Sequence, residues 1–303
     1  MDLTLTLPSA ADSPALSLAV NDWFQGNARD LPWRRPGFGA WGVLVSEFML
    51  QQTPVNRVIP RLAEWLERWP TPADLAAVPP GEAVRAWATL GYPRRALRLH
   101  AAAVQITERH DGEVPSDVDA LLALSGIGDY TARAVAAFAY GLRHPVVDTN
   151  TRRVIARAVT GQAEPAPPSR TRDLDAMSAL LPLAVSDAAV FNAGMMELGA
   201  VVCTNKNPRC DACPIQGACA WRQSGYPAYS GPRKAVQKKF EGSDRQVRGL
   251  IMAELRATRH PVTDAEITGL WPDAPQRDRA LAGLIADGLA VATGPGQYTL
   301  PHQ

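Results

Sequence analysis

Four cysteines, Cys203, Cys210, Cys213 and Cys219, fall within one short stretch, and the chain of 303 residues holds no others. Free cysteines that merely pack as small hydrophobes scatter through a core, and these do not. The N-terminal sequence lacks the basic region of an export signal, which argues against disulfides. The spacing C-x6-C-x2-C-x5-C then reads as a metal site. Zinc held by four thiolates usually takes two close pairs, and only Cys210 and Cys213 make one. Four thiolates spread along a loop suit the irons of a cubic [4Fe–4S] cluster, and this reading is favoured over zinc. Lys206, Arg209 and Arg222 flank the loop, so a cluster here would fold a positive surface rather than carry electrons. Residues 203–240 hold seven Lys or Arg against one Asp, in a chain of net charge +1. That stretch is either a local anion-binding face or a solvated linker.

Two carboxylates stand apart from the ordinary charged surface. Glu47 lies in a segment, Trp41 to Leu50, that is otherwise apolar except for Ser46. On a helical wheel it sits at the edge of the apolar face, beside Gln51 one turn on. A glutamate at such an edge usually points to water. Partial burial would instead raise its pKa and keep it protonated, as a general acid requires. Asp148, in Val146-Val147-Asp148-Thr149-Asn150, precedes a helix and is a natural N-cap. Thr149 or Asn150 could cap equally well, and that would leave the Asp148 carboxylate free. Between the two carboxylates lies Leu124-Ser125-Gly126-Ile127-Gly128. Gly126 and Gly128 permit a tight turn that presents backbone N–H groups, either as a phosphate site or as an ordinary interhelical turn. The first of only four lysines is Lys206, so no lysine nucleophile exists in residues 1–205.

The elements that must position these residues are almost all helical. Apolar spacing predicts helices from Asp12 to Phe24 and from Trp41 to Gln52, and another running to Trp69 with Thr53-Pro54 as N-cap and first turn. Further helices are expected near 72–78, 82–90, 94–110 and 116–123, from about 130 and 151, and near 170–181 and 187–200. Gly141 and Gly161 fall where helix C-terminal caps belong. Residues 223–243 are rich in Pro, Gly, Ser and Lys and read as a linker. Beyond it, helices at 244–258, after Thr263 and at 274–287, with a hairpin over 289–300, resemble a winged helix. That segment carries seven acidic and six basic side chains, so it lacks the footprint of a DNA reader. With 46% hydrophobic and 20% charged residues the chain is globular, and its length predicts two or three domains. No apolar run approaches the ~18 residues of a membrane span. The expected location is cytoplasmic.

Together these motifs resemble one family. Ser46-Glu47-Phe48-Met49-Leu50-Gln51-Gln52-Thr53 looks like the catalytic motif of MutY-type adenine DNA glycosylases. The hairpin 124–128, the Val-Asp-Thr-Asn segment, Phe191-Asn192, Met195-Met196-Glu197-Leu198-Gly199 and the four-cysteine loop follow in family order, covering about residues 18–222. The resemblance implies a mainly α fold: a helix-hairpin-helix six-helix barrel over about 36–144 and an iron–sulfur domain from the N-terminal helix and 145–222. It implies that Glu47 protonates a flipped adenine and that Asp148 stabilises the oxocarbenium-like sugar. Tyr130 and Asn150 match positions that orient these groups. Tyr92 matches a wedge that enters the duplex. Leu50, Gln51 and Gln52 match residues at the gap left by the base, and Arg34 one near the adenine pocket.

The implied activity is removal of adenine from A:8-oxoguanine or A:G pairs in double-stranded DNA, by a monomeric enzyme at the bacterial nucleoid. Tyr130 stands where lyase relatives carry Lys, which implies no strong β-lyase. Alternatives of the same fold act on mispaired thymine or oxidised pyrimidines, and a non-catalytic iron–sulfur DNA-binding protein is a third reading. Two departures stand out. Ala193 replaces a Gln or Glu that contacts adenine in many members. A winged-helix-like segment also stands where a larger NUDIX-like domain that recognises 8-oxoguanine is common. Opposite-base reading is therefore expected to fall mainly to Leu50, Gln52 and Tyr92.

Overall fold

The computed structural model describes residues 13–232 and 239–302. Asp12, the expected start of the first helix, and Arg233, Lys234 and Lys238 of the basic segment lie outside the described residues. In chain order the helices are α1 (Ser13–Asn27), α2 (Ala40–Leu50), α3 (Val55–Arg68), α4 (Pro72–Ala76), α5 (Pro80–Trp87), α6 (Arg94–Arg109), α7 (Val118–Leu122), α8 (Asp129–Tyr140), α9 (Thr149–Ala158), α10 (Arg170–Leu180), α11 (Val185–Val201), α12 (Ala220–Gln223), α13 (Asp244–Ala257), α14 (Asp264–Leu270) and α15 (Ala274–Ala286). The strands are β1 (Val262–Thr263), β2 (Val291–Gly294) and β3 (Gln297–Thr299). The fold is thus mainly helical with one small sheet. No helix among the described residues is long and apolar enough to cross a membrane.

The chain divides into two compact units. Of the described residues, the first comprises 13–38, 116–118 and 128–232. Its core joins Leu16 and Val20 of α1, Val154 and Ile155 of α9, Met177 and Leu180 of α10, and Phe191, Met195 and Leu198 of α11. In α1, α10 and α11 these residues recur at three- or four-residue spacing, so each of those helices turns one apolar stripe inward. α9 and α11 cross closely because position 199 is glycine: a Cβ there would lie 2.7 Å from the Asn150 Cβ and 2.8 Å from its carbonyl oxygen. α8 ends at Gly141, which takes the left-handed cap conformation at φ 66°.

Of the described residues, the second unit comprises 39–115, 119–127 and 239–302. Val58, Leu62 and Trp65 bury one stripe of α3. Trp65 meets Trp69 and Trp87 edge-on, with ring centroids at 4.7 and 5.6 Å, the favoured geometry for aromatic pairs. The C-terminal segment belongs to this same unit. Its sheet runs β1-β3-β2, antiparallel throughout, and Thr263 and Glu266 form a capping box at α14. The Gly81 N–H donates to the Pro301 carbonyl at 2.7 Å, and Arg94 on α6 pairs with Asp287 at 3.1 Å.

Candidate active site

The site residues of the second unit grow from α2. Every residue from Trp41 to Met49 is buried, as expected of a helix apolar on all sides. Glu47 is only 5% exposed, which corrects the solvent-pointing reading of its helix-edge position: the neighbouring elements cover the edge as well as the face. Ser46 satisfies its buried hydroxyl by donating to the Val43 carbonyl at 2.7 Å.

α2 ends at Leu50, two residues earlier than its apolar spacing suggests. Gln51 takes φ −56°, ψ 108°, Gln52 takes φ 56°, and the Thr53 N–H donates to the Leu50 carbonyl at 3.2 Å. That is a type II turn with a glutamine where glycine is usual. Thr53 is not the N-cap of α3; Pro54 holds that position. The Thr53 hydroxyl instead donates to the Leu90 carbonyl at 3.2 Å. Tyr92, 54% exposed, is also left-handed at φ 49° and follows Gly91 at φ 85°. Left-handed non-glycine residues cost ~1–3 kcal/mol each and persist only where surroundings impose them.

Both turns meet at Arg95, 6% exposed. Its Nη1 donates to the carbonyls of Phe48, Met49 and Gln51 at 2.8, 3.1 and 2.6 Å. Its Nη2 donates to the Thr53 hydroxyl and to the carbonyls of Leu90 and Gly91 at 3.0, 3.4 and 2.9 Å. Burial lowers its pKa to about 10. Gly126 lies in this unit too. Its φ is +74°, and a Cβ there would sit 2.6 Å from the Arg98 Cβ, so both conformation and packing demand glycine.

The first unit holds Tyr130, Asp148, Asn150, Arg34, Gly128 and the cysteines. Asp148 is itself the N-cap of α9. It accepts from the Thr151 N–H at 2.6 Å and from the Asn150 amide at 2.8 Å. Neither Thr149 nor Asn150 relieves it, so the carboxylate is engaged rather than free. Burial pushes its pKa up, and those hydrogen bonds pull it partly back. Asn150 in turn accepts from Arg153 Nη2 at 2.8 Å. Arg153 also donates to the Gly199 and Cys203 carbonyls at 2.6 and 2.7 Å. A continuous chain of polar contacts therefore runs from Asp148 to the first cysteine.

Asn192, fully buried, accepts from the Val146 N–H at 2.8 Å and donates to the His144 carbonyl at 2.9 Å. It braces the loop that ends in Asp148. Tyr130 packs with Phe138 and Met196 against Ala134, Ala137 and Val146. Gly128 is the N-cap of α8, and a Cβ there would meet no protein atom within 4 Å. Arg34 donates to Glu197 at 2.8 Å. Glu197, its side chain wholly buried, also takes a two-pronged contact from Arg29 at 2.6 and 2.8 Å. The opposing cost of burial is outweighed by these arginines, which bring the Glu197 pKa down to about 2.

All four cysteines, each half-buried, line a single recess with Arg157, Arg209, Trp221 and Arg222. Burial pushes the Cys213 thiol up to about 11, and the three neighbouring cysteines add to the rise. Arg157 donates to the Cys203 sulfur at 3.4 Å and lies over the Trp221 ring at 4.7 Å. Among the described residues no three of His, Cys, Asp or Glu draw close enough to hold a single metal ion. A tetrahedral zinc would need its sulfurs within about 4 Å of one another, from bonds of about 2.3 Å. Four half-buried thiols lining one recess are a donor set that a four-iron cluster can use, because its own iron and sulfide lie between the thiolates.

Sequence reasoning passed over Arg95, Arg153, Asn192 as a brace, and the Glu197 pairing. Each acts on carbonyls or side chains distant in the chain, for which spacing carries no signal. Residues 45–177 match the HhH-GPD superfamily of base excision DNA repair proteins. The chain is 54% identical over 279 residues to an adenine DNA glycosylase of Mycolicibacterium smegmatis, spanning 92% of this chain and 93% of that one. It is 51% identical over 282 residues to an adenine DNA glycosylase of Mycobacterium tuberculosis, spanning 93% and 92%. Among solved structures, a thermostable thymine-DNA glycosylase matches with TM-score 0.65 at 25% identity, over 71% of this chain and 98% of that one.

Proposed function

From the chain's membership of the adenine DNA glycosylases, within the HhH-GPD base excision repair superfamily, we infer a substrate and a division of labour for its adenine-removing activity. The substrate is adenine opposite 8-oxoguanine or guanine in duplex DNA, hydrolysed at its N-glycosidic bond after extrusion from the stack. The observation that carries this reading is the burial of Glu47 on a helix apolar on nearly every side. Under this reading Glu47 acts as the general acid and gives its proton to the departing base.

Asp148 then faces the positive charge that develops on the sugar. Thr151 and Asn150 hold it in one orientation. Water adds to the sugar carbon as the bond to adenine breaks, and the proton it loses restores the acid. Tyr130 is not an amine and forms no Schiff base, so the product is an intact abasic site. Leu50, Gln51, Gln52 and Tyr92 contact the gap and its opposite base, and Arg34 keeps Glu197 and the adjoining loop in place near the base pocket. Gly126 and Gly128 let a phosphate approach the backbone; at Gly128 the protein itself leaves room for a side chain, so the requirement for glycine comes from outside it.

Cys203, Cys210, Cys213 and Cys219 would hold a [4Fe–4S] cluster. When bound, the cluster ties the loop carrying Lys206, Arg209 and Arg222 into a basic surface for the phosphate backbone. The protein works on the chromosome of a bacterial cell, in keeping with its bacterial relatives. The deciding assay incubates it with A:8-oxoguanine, A:G, T:G and thymine-glycol duplexes, with and without alkali. Adenine release from the first two, with strand breaks only after alkali, is the expected result. Preferential release of thymine would refute the substrate assignment.

A further inference from the structure

We propose that Arg95 is the positioning residue that presents Gln52 and Tyr92 to DNA, locking the two turns that carry them into conformations neither would hold alone. This rests on the reading of Gln52 and Tyr92 as DNA contacts. Both side chains stand on left-handed backbone, at φ 56° and 49°, in turns some forty residues apart in sequence. One guanidinium reaches both. Its Nη1 takes the carbonyls at the end of α2, and its Nη2 takes the Thr53 hydroxyl and the carbonyls of Leu90 and Gly91. The Thr53 hydroxyl crosses from one turn to the other on the Leu90 carbonyl. The Trp87 indole donates to the Gly91 carbonyl at 2.9 Å, and the Arg95 guanidinium lies 5.2 Å from the Trp87 ring and 5.5 Å from that of Tyr92.

The partners explain why arginine is needed. They are carbonyls and a hydroxyl fanned around a plane, which a flat fork of donors can match and a single ammonium cannot. A buried cation held mainly by carbonyls is a poor stability device, and the Arg95 Nε is buried with no partner at all. The arrangement makes sense if the two turns must be rigid before DNA arrives. A preset wedge and a preset reader avoid ordering cost at the moment of base extrusion.

The test uses the full-length protein with Arg95→Lys, Thr53→Val, Tyr92→Ala and the double variant Arg95→Lys/Tyr92→Ala. Measured are thermal stability, affinity for undamaged duplex, single-turnover adenine release from A:8-oxoguanine, and unstacking of a fluorescent adenine analogue at the target position. Arg95→Lys should slow release roughly 10- to 100-fold and suppress the unstacking signal, while binding of undamaged duplex stays within about 3-fold. Thr53→Val, which removes one acceptor and keeps the shape, should show the same pattern more weakly. In the Tyr92→Ala background Arg95→Lys should cost less than in wild type, because the part of its effect that runs through Tyr92 is already lost and only the part through Gln52 remains.

If Tyr92→Ala is as active as wild type, the reading of Tyr92 as a DNA contact fails by itself. If Tyr92→Ala is impaired but Arg95→Lys and Thr53→Val are not, the positioning role is wrong. Losses that follow thermal stability and add to those of Tyr92→Ala also overturn it. Should Arg95→Lys fail to fold, Thr53→Val decides the matter on the same readouts.

Discussion

The two compact units hold their site residues by opposite electrostatic designs. In the unit containing α2, one buried cation, Arg95, gathers carbonyls and a hydroxyl and thereby shapes backbone. In the unit containing α9, Asp148 is held by the Thr151 N–H and by the Asn150 side chain, and Asn150 leads through Arg153 to the Cys203 carbonyl. The first design fixes where side chains start from; the second fixes a functional group itself. Under the proposed function, shaping backbone would suit residues that enter DNA, because their side chains stay available for contacts. Holding a carboxylate directly would suit a group that keeps one lone pair aimed at a developing charge. The second design also joins the carboxylate to the proposed cluster loop.

The comparison is broken most severely at the acid. Glu47→Gln should lower single-turnover adenine release by about 10³-fold or more while leaving duplex affinity nearly intact, since the amide keeps the shape without a transferable proton. Residual activity within about 3-fold of wild type would remove Glu47 from the chemistry. Asp148→Asn should cost roughly 10²-fold or more. Because burial raises the Asp148 pKa, the ionised form is lost at a higher pH than for an ordinary carboxylate. The acid limb of the rate profile should therefore lie above the usual carboxylate range and disappear in Asp148→Asn; an acid limb unchanged by the substitution would assign it elsewhere.

Arg153→Gln sharpens the contrast between the two designs. It should reduce adenine release by about 10-fold and also weaken the broad absorption near roughly 400 nm expected of a cysteine-ligated iron–sulfur cluster. Arg95→Lys should leave that absorption unchanged. Stoichiometric zinc without iron in anaerobically purified protein would refute the cluster itself.

Glu197→Gln should act on stability rather than chemistry, by about 2 kcal/mol at neutral pH once the partial exposure of Arg29 is allowed for. The folded-state pKa of about 2 lies below the ordinary 4.5. The stabilisation is therefore complete above pH 4.5 and is lost as the pH falls toward 2, so the variant and wild type should converge in acid denaturation. The smallest change concerns Tyr130. Wild type should give no covalent adduct with borohydride, and Tyr130→Lys should give a modest one by supplying an amine.

Much of this was legible in the chain because it is local. Helix starts and stops follow from proline, glycine and capping residues, and Gly141 ends α8 where a left-handed residue was needed. The cysteine spacing is a property of one loop. The misreadings share a cause. Thr53 has the chemistry of an N-cap, but a partner on another turn claims its hydroxyl. Asp148, Thr149 and Asn150 are equivalent cap candidates until the fold decides which backbone donors each can reach.

Glu47 shows the same division. Its residue type, its apolar neighbours and the motif around it were set by sequence alone, as was the absence of any lysine before Lys206. Its burial to 5% was decided by what packs over the edge of α2. Arg95 is the extreme case: its partners on and after α2 lie 42 to 47 residues away, and most of them are backbone carbonyls, which every residue type possesses. A motif records which side chains are present. A carbonyl becomes a ligand only when chain folding turns it toward a donor, and no residue code specifies that.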